Sequence, residues 1–274
     1  MSRKERLDIL LHSRGCFPSR ERARSAIMAG VVFVNGVRVD KPGTKLDPHA
    51  DIEVRGPDLA FVSRGGFKLE KALQVFGIDL QGKVVLDVGA STGGFTDCAL
   101  KHGAALVYAV DVGYGQLDWS LRRDPRVVVL ERTNIRHLSP AALEVRPSFF
   151  TIDVSFISLR LVFPRVDELT APGAEGVVLV KPQFEAGRNL VGKKGVVRDP
   201  DVHVQVLLGV LKEAQTLGWG VRALDYSPVR GPQGNIEYLV YFQKGRPAAP
   251  DLPAGVRRVV DEAHGALSGP GGPV

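Results

Sequence analysis

Four charged residues are of the types needed to take a proton from a hydroxyl group: Lys68, Asp153, Lys181 and Glu237. Asp153 and Lys181 each follow directly on a run of apolar residues, FFTI and VVLV, that is typical of a buried strand. The carboxyl ends of the strands in an open α/β sheet border one crevice, so both residues should lie in it. Lys68 or Glu237 taken alone is better explained as a surface charge, whereas the four together indicate a site.

A glycine-rich turn follows the first strand of the same region, in VVLDVGASTGGFT (residues 84–96). Its small side chains would let backbone N–H groups approach a ligand at the start of a helix. An acid at the end of the next strand, Asp111, can accept hydrogen bonds from a ribose diol. The turn and the strand ends therefore predict contacts to a nucleoside-like cofactor from Asp87, Gly89, Ser91, Thr92, Gly93, Gly94, Phe95 and Asp111.

Three features favour S-adenosylmethionine over a nicotinamide cofactor. Asp87 would face the ligand, and a carboxylate there suits an ammonium group but repels a pyrophosphate. The G-x-G-x-x-G fingerprint is absent, and only one nucleotide-binding half is evident. A turn that binds no ligand is the alternative, and the acids at 87 and 111 argue against it.

Transfer of a methyl group from a sulfonium to a hydroxyl requires the hydroxyl to lose its proton. A partly desolvated lysine beside a second lysine has a pKa below its usual value of about 10.4, so a neutral amine could accept that proton. Asp153 and Glu237 would hold the cationic groups in position, and alignment of the reactants would lower the barrier further. A ribose 2′-hydroxyl fits this chemistry.

Other methylation chemistries fit the sequence less well. Methylation of base amino groups typically uses an (Asp/Asn)-Pro-Pro-aromatic turn after the fourth strand, where this chain has DVSF (153–156). Carbon-5 methylation of a pyrimidine needs a cysteine in the crevice. Cys16 and Cys98 are more simply explained as small core residues.

The elements that must position these residues alternate between strand and helix after residue 83. Strands are predicted at 83–88, 106–111, 126–131, 148–153, 176–181, 220–226 and 236–242, helices near 94–103, 116–123, 158–170 and 201–217, and one short helix in the tail at 254–266. This pattern predicts an α/β fold with a doubly wound parallel sheet and an antiparallel hairpin at its edge, whose returning strand brings Glu237 to the crevice. Residues 1–60 differ, since two short helices and an Asn35-Gly36 hairpin predict a small α+β module.

The composition favours a polyanionic partner. The chain has 274 residues, a formal net charge of +6 and a pI near 9.4. No signal peptide, membrane span or metal-ligand spacing is evident, and two distant cysteines fit a reducing cytoplasm. We therefore expect a cytoplasmic protein that binds no metal and no membrane.

The order Lys68–Asp153–Lys181–Glu237 resembles the tetrad of the FtsJ-like ribose 2′-O-methyltransferases. With the motifs DVGASTGGFT, DVGYGQLDWSLR, VLERTNIR, DVSFISL and VKPQFE, residues 3–243 resemble the TlyA family of rRNA 2′-O-methyltransferases. The resemblance implies a Rossmann-like class I methyltransferase, with S-adenosyl-L-methionine as cofactor. It further implies transfer to the ribose 2′-hydroxyl of cytidine in 23S rRNA and, in some members, 16S rRNA. It also implies that Asn134 lies near the adenine, that Phe156 lies near the cofactor or target, and that Asp153 borders the cofactor.

The N-terminal module resembles the S-four-type RNA-binding domain over RLDILLHSRGCFPSRERARSAIMAGVVFVNGVRVDKPG (residues 6–43). The expected organisation is an RNA-binding domain (1–60), a linker (61–67), a methyltransferase domain (68–245) and a C-terminal tail (246–274). Ribosomal RNA or a ribosomal subunit is the expected partner, contacted mainly through phosphates. The expected RNA-binding residues are Arg3, Arg6, Arg20, Arg22, Arg24, Arg64, Arg188 and Lys193.

Three other functions remain as alternatives to an rRNA methyltransferase. A noncatalytic RNA-binding factor for ribosome assembly would be favoured by loss of tetrad residues, and all four are present. A secreted lytic protein, suggested by the hemolysin label that some members of the family carry, would need an export signal or an apolar hairpin. A nicotinamide oxidoreductase ranks last because the dinucleotide fingerprint is absent.

Overall fold

A computed structural model describes residues 4–17, 19–28, 30–54, 61–247 and 252–267. The chain divides into two compact units, residues 1–66 and 67–274. Each unit has its own hydrophobic core.

The first unit packs two short helices against small antiparallel sheets, as the sequence predicts. Its elements are β1 (Glu5–Arg6), α1 (Leu7–Ser13), α2 (Arg20–Met28), β2 (Val32–Val34), β3 (Val37–Arg38), β4 (Lys45–Leu46) and β5 (Ile52–Val54). Strand β1 pairs with β4, and β2 lies between β3 and β5. Ala23 and Ile27, four residues apart on α2, share a buried cluster with Leu7 and Leu11 of α1. The β2–β3 turn has positive φ at Asn35 (49°) and Gly36 (77°), as a type I′ turn requires.

The second unit is built on a seven-stranded sheet with the order β11-β12-β10-β9-β6-β7-β8. The strands are β6 (Val84–Val88), β7 (Leu106–Val110), β8 (Val127–Leu130), β9 (Phe149–Ile152), β10 (Glu175–Val180), β11 (Trp219–Tyr226) and β12 (Tyr238–Lys244). Strands β8, β7, β6, β9 and β10 are parallel neighbours, whereas β12 is antiparallel to both β10 and β11. The predicted α/β sheet with an antiparallel edge hairpin is confirmed, and its antiparallel strand is the inner one of the pair.

The helices of this region are α3 (Gly65–Phe76), α4 (Gly94–Lys101), α5 (Trp119–Arg122), α6 (Phe163–Leu169), α7 (Pro182–Glu185), α8 (Pro200–Thr216) and α9 (Leu252–Leu267). The helix predicted at 158–170 is divided, because Ser158 caps a 3₁₀ turn at Leu159–Leu161 before Pro164 opens α6. The residues predicted as a tail contain α9, whose Val256, Val260 and Ala263 are buried in the core of the second unit. This helix is therefore an integral part of the fold.

The strands that lead to the site are buried along their length. All four residues of β9 are buried, and so are the last five of β10, as in a sheet covered on both faces. Phe150 and Phe163 both pack against Trp219, with ring centroids 4.8 and 5.1 Å from the indole. The carboxyl ends of β6, β7, β9 and β10 thus meet at one rigid edge, to which the start of β12 returns.

Candidate active site

The four charged residues predicted from the sequence form one cluster at that edge. Asp153 follows β9, Lys181 follows β10, Glu237 precedes β12 and Lys68 lies on α3. Lys181 Nζ is 2.5 Å from Asp153 Oδ1, and Lys68 Nζ is 2.6 Å from Glu237 Oε2 and 3.8 Å from Asp153 Oδ2. The amines and carboxylates therefore alternate in a row of ion pairs, with Lys68 between the two acids.

The cluster is mostly shielded from water, and its charges compensate one another. The side chain of Glu237 is 0% exposed and that of Lys181 is 9% exposed. Burial raises the pKa of Asp153, but the Lys68 and Lys181 ammonium groups outweigh it and bring that pKa below its usual value. Asp153 is therefore ionised at neutral pH and holds both amines.

Ser155 is a member of the cluster that the sequence analysis did not identify. Lys181 Nζ donates a hydrogen bond of 2.9 Å to Ser155 Oγ, which fixes the amine from a second side. The only signal was its position in DVSF, two residues after Asp153. That motif was used for the choice of methylation chemistry and for the family resemblance, and neither use gave Ser155 a role.

A cavity of about 520 Å³ lies next to the cluster, and Asp153 and Ser155 form part of its wall. A volume of this size is in the usual range of about 300–1,000 Å³ for small-molecule sites. Five residues predicted to contact a cofactor also line it: Gly89, Ser91, Asp111, Asn134 and Asp153. The remaining lining includes Gln116, Thr133 and Phe156.

The glycine-rich turn has the backbone that the sequence predicts. Gly89 and Gly93 have φ of 88° and 94°, which L side chains rarely adopt. A Cβ atom on Gly89 would lie 2.4 Å from the Asp153 carbonyl oxygen. Any side chain here would therefore displace the backbone that carries Asp153 at the end of β9. Asp111 fixes the turn from the neighbouring strand, because its carboxylate accepts hydrogen bonds from Ser91 N (2.8 Å) and Gly113 N (2.7 Å).

Asp87 lies behind the turn. Its side chain accepts hydrogen bonds from Thr96 Oγ1 (2.6 Å) and Thr151 Oγ1 (2.8 Å), and the residue is 1% exposed. Burial raises its pKa to about 6. Asp87 therefore ties the turn to α4 and β9, and its direct contact with a cofactor ammonium stays a prediction.

The other residues predicted to contact the cofactor lie either at the start of α4 or in the cavity wall. Gly94 and Phe95, which begin α4, are buried along with Gly93, while Thr92 is half-buried. Asn134 Oδ1 accepts a hydrogen bond of 3.1 Å from Arg136 N and lies in the cavity wall. Contact of these residues with a cofactor likewise stays a prediction.

Phe156 is an exposed aromatic residue at the mouth of the cavity. It is 90% exposed and has φ of 62°, a strained conformation for a bulky residue. Its ring centroid is 4.8 Å from that of Phe184 on α7. Strained exposed aromatics of this kind are typical of binding sites.

The segment between α7 and α8 is tied to the start of β12 by side chains that the sequence analysis missed. Asn235 Nδ2 donates to Gly195 O (3.0 Å), and Val197 N donates to Asn235 Oδ1 (3.2 Å). His203 Nε2 is 3.0 Å from Val197 O and its Nδ1 is 2.7 Å from the Tyr238 hydroxyl. Burial lowers the pKa of His203 to about 4, so at neutral pH it is a neutral bridge between the segment and β12.

The residues predicted to bind RNA differ in their ion pairs and in their exposure to solvent. Arg3 lies outside the described residues. Arg6 and Arg20 both pair with the buried Asp8, at 2.9 and 3.0 Å, so part of their charge is used within the first unit. Arg24, Arg188 and Lys193 are exposed, whereas Arg22 and Arg64 are half-buried.

The expectation that both cysteines are core residues is confirmed for Cys98 and wrong for Cys16, which is exposed. Cys16 follows α1 in a bend of the first unit, where its side chain reaches the surface. Burial raises the pKa of the Cys98 thiol, so it is no nucleophile at neutral pH. Within the described residues, no helix is long and apolar enough to cross a membrane, and no group of His, Cys, Asp and Glu side chains is arranged to hold a metal ion.

Comparison with known proteins identifies the family. The sequence profile of the FtsJ-like methyltransferases matches residues 61–244, and that of the S4 domain matches residues 5–52. A Mycobacterium tuberculosis (strain H37Rv) protein named 16S/23S rRNA (cytidine-2′-O)-methyltransferase TlyA is 45% identical, over 98% of this chain and 99% of its own length. The chain belongs to the TlyA family of FtsJ-like methyltransferases.

Two further relatives agree with the family assignment. A Bacillus subtilis (strain 168) protein, provisionally named an rRNA methyltransferase, is 52% identical to this TlyA-family chain over 97% of it and 96% of the relative. A solved structure from Streptococcus thermophilus, provisionally titled a hemolysin, superposes with a TM-score of 0.78 at 47% identity and covers 97% of each chain. The family resemblance and the fold predicted from the sequence are thus confirmed.

Proposed function

We propose that this TlyA-family protein transfers a methyl group from S-adenosylmethionine to the ribose 2′-hydroxyl of cytidine in ribosomal RNA. The observation that carries the proposal is the buried cluster of Lys68, Asp153, Lys181 and Glu237 beside the cavity that the glycine-rich turn borders. The relative named 16S/23S rRNA (cytidine-2′-O)-methyltransferase supports the choice of substrate. An RNA substrate of this kind is also the reason to propose action in the cytoplasm.

The residues of the cavity fit S-adenosylmethionine. Asp111, at the end of β7, would accept hydrogen bonds from the ribose diol, and Asn134 would lie at the adenine. The backbone of Gly89 and Ser91 would approach the cofactor where side chains are small or absent. When bound, the cofactor supplies an electrophilic methyl group on a sulfonium.

The cluster would act on the hydroxyl through Lys181. Its Nζ is held by Asp153 Oδ1 on one side and Ser155 Oγ on the other, so the direction of the amine is fixed. Lys181 would accept the 2′-hydroxyl proton on Nζ as the methyl group is transferred, and Nζ would carry the positive charge afterwards. Asp153 stabilises that charge, while Lys68 pairs with both carboxylates and holds them in place.

Phe156 would contact the target nucleotide at the mouth of the cavity. Its ring is almost fully exposed and borders the same cavity as Asp153. Stacking of a base on an aromatic ring is worth about 1–3 kcal/mol in nucleic-acid complexes. Such a contact would hold the ribose against the cluster.

The decisive experiment is methylation of ribosomal subunits purified from cells that lack this protein, with S-adenosylmethionine labelled in the methyl group. The wild-type protein should methylate a cytidine 2′-hydroxyl, mapped by primer extension on 23S and 16S rRNA separately. Lys181→Ala should lower turnover at least about a hundredfold because the proton acceptor is removed. Its affinity for the cofactor should stay within a few-fold of wild type.

Lys101→Ala is the matched control, because the Lys101 side chain is about half exposed at the end of α4, where it pairs with Asp97 and with no member of the cluster among the described ion pairs. It should retain full turnover. Wild-type protein that binds subunits without methylating them would refute the proposed activity and favour the noncatalytic assembly factor.

A further inference from the structure

A second cavity, of about 330 Å³, lies at the turn that precedes Glu237, and the proposed reaction makes no use of it. Its wall is mainly polar and carries two arginines, an amide and an imidazole: Arg198, Arg230, Gln233 and His264. It shares no described residue with the cavity that borders Asp153. It is therefore a separate feature of the second unit.

The two arginines of this cavity have no carboxylate partner in the part of the chain that the structure describes. Among the described residues, no Asp or Glu forms an ion pair with Arg198 or Arg230. Arg230 Nε is shielded from solvent, and it forms no hydrogen bond with any group in the described part of the chain. A shielded guanidinium N–H without an acceptor is costly, and an anionic ligand would satisfy it.

Other charged groups near the cavity do not neutralise the arginines. Asp199 caps α8 by accepting a hydrogen bond from Asp201 N, and Glu237 is paired with Lys68. Burial lowers the pKa of His264, although the charges of Asp199 and Asp261 raise it. His264 thus offers a hydrogen bond at neutral pH, and the arginines supply the positive charge.

The cavity is built from segments whose positions are fixed. Gln233 has φ of 57° and Gly234 has φ of 88°, so the turn before β12 is held in an unusual conformation. The opposite wall, Val196 to Arg198, is tied to that turn by Asn235 through Val197 N. A Cβ on Gly231 would lie 2.2 Å from Glu237 Oε1, so the turn that carries Arg230 packs directly on the tetrad.

A basic groove continues from the cavity along the preceding segment. Arg198 also lines a neighbouring depression of about 460 Å³ with Lys193 and Lys194. Lys193, Lys194 and Arg198 are all exposed. The positive groups therefore form a path that ends beside Glu237.

We propose that the cavity of Arg198 and Arg230 binds a backbone phosphate of the substrate RNA close to the methylated nucleotide. The inference rests on the proposed function and adds a location to it. A phosphodiester oxygen accepts hydrogen bonds from guanidinium N–H groups, and no base is required for recognition. The phosphate fixes the strand on the side of Glu237.

The test compares Arg198→Ala/Arg230→Ala with Arg222→Ala/Arg258→Ala, which removes the same charge from exposed positions on β11 and α9. RNA affinity is measured by fluorescence anisotropy at several salt concentrations, on the full chain with subunit-derived RNA. The cavity variant should bind RNA about tenfold more weakly per arginine. Its salt slope should fall by about 0.7–0.9 per lost phosphate contact, with cofactor affinity unchanged.

An equal loss of RNA affinity in both double variants would mean that only the total positive charge matters, and it would overturn the proposal. Unchanged RNA affinity in the cavity variant would overturn it as well. Calorimetry with inorganic phosphate and with cytidine monophosphate tests whether the cavity is a site for free anions and not for an RNA phosphate. Loss of that binding in the cavity variant, with RNA affinity intact, would also overturn it. The measurements require no turnover, so a wild-type protein that binds RNA without methylating it refutes the proposed function and leaves the cavity result standing.

Discussion

At the scale of single residues, two buried acids of the second unit titrate in opposite directions. Burial raises the pKa of Asp87 to about 6 despite the hydrogen bonds from Thr96 and Thr151, whereas the pKa of Asp153 is lowered by two ammonium groups that outweigh its burial. Asp153 is thereby suited to hold cations. Asp87 is suited to bracing a turn.

The raised pKa of Asp87 gives a pH dependence of stability. Because the folded-state pKa lies above the unfolded value, the stabilising contribution is present below the unfolded pKa and is lost as pH rises through about 6. Asp87→Asn, which cannot ionise, should gain stability relative to wild type by up to about 3 kcal/mol between pH 4 and 7. Urea unfolding at the two pH values checks this, and a constant difference would contradict it.

Lys68 stabilises the fold as well as the site. Lys68→Met leaves Glu237 buried without its cation, and removal of one partner of a buried pair costs about 3–5 kcal/mol. Adding Glu237→Gln should recover most of the unfolding free energy, because no unpaired charge remains, yet methylation should stay absent. Urea unfolding and the methylation assay on both variants distinguish the two roles, and recovered activity in the double variant would limit Lys68 to a structural one.

At the scale of elements, the alternation of strands and helices was enough to predict the second unit, because each buried strand is a continuous apolar run. It could not give the order of the last two strands: periodicity identifies β11 and β12, but the pairing of β12 with β10 depends on contacts far apart in sequence. The tetrad was predicted because its charges follow apolar runs or match a family order. Ser155, Asn235 and His203 act through partners in other elements, so the sequence carried no comparable signal for them.

The segment between α7 and α8 depends on Asn235 for its position. Asn235→Ala removes the hydrogen bonds to Gly195 O and Val197 N. The KM for RNA should rise several-fold, while cofactor affinity stays near wild type, because the basic residues of the segment lose their fixed placement. Steady-state kinetics and cofactor titration measure the two, with the exposed Asn189→Ala as control. A matching loss of cofactor affinity would indicate general damage to the fold.

At the scale of the whole molecule, the net charge of +6 is distributed over both units. Some of the basic side chains are engaged in ion pairs within the protein, so only the others are available for contacts with RNA. In the first unit Arg20 is paired with the buried Asp8, whereas Arg24, one turn further along α2, is exposed. These two arginines of one helix should therefore respond differently to substitution.

Arg24→Ala should weaken RNA binding and lower its salt slope by about 0.7–0.9 without loss of stability. Arg20→Ala should destabilise the first unit, since Asp8, whose side chain is 0% exposed, keeps only Arg6. RNA titrations over a salt series and thermal unfolding separate the two effects. Identical results for both variants would show that Asp8 does not distinguish them.

The inner position of β12 has a consequence for the newly made chain. Glu237 is 169 residues from Lys68 in sequence, and it reaches the crevice only when β12 has inserted between β10 and β11. Before that insertion Lys68 lacks its principal counter-charge and β10 has a bare edge. The four-residue cluster can therefore be complete only in a molecule whose β12 has entered the sheet, so that completion of the sheet and completion of the site are one event.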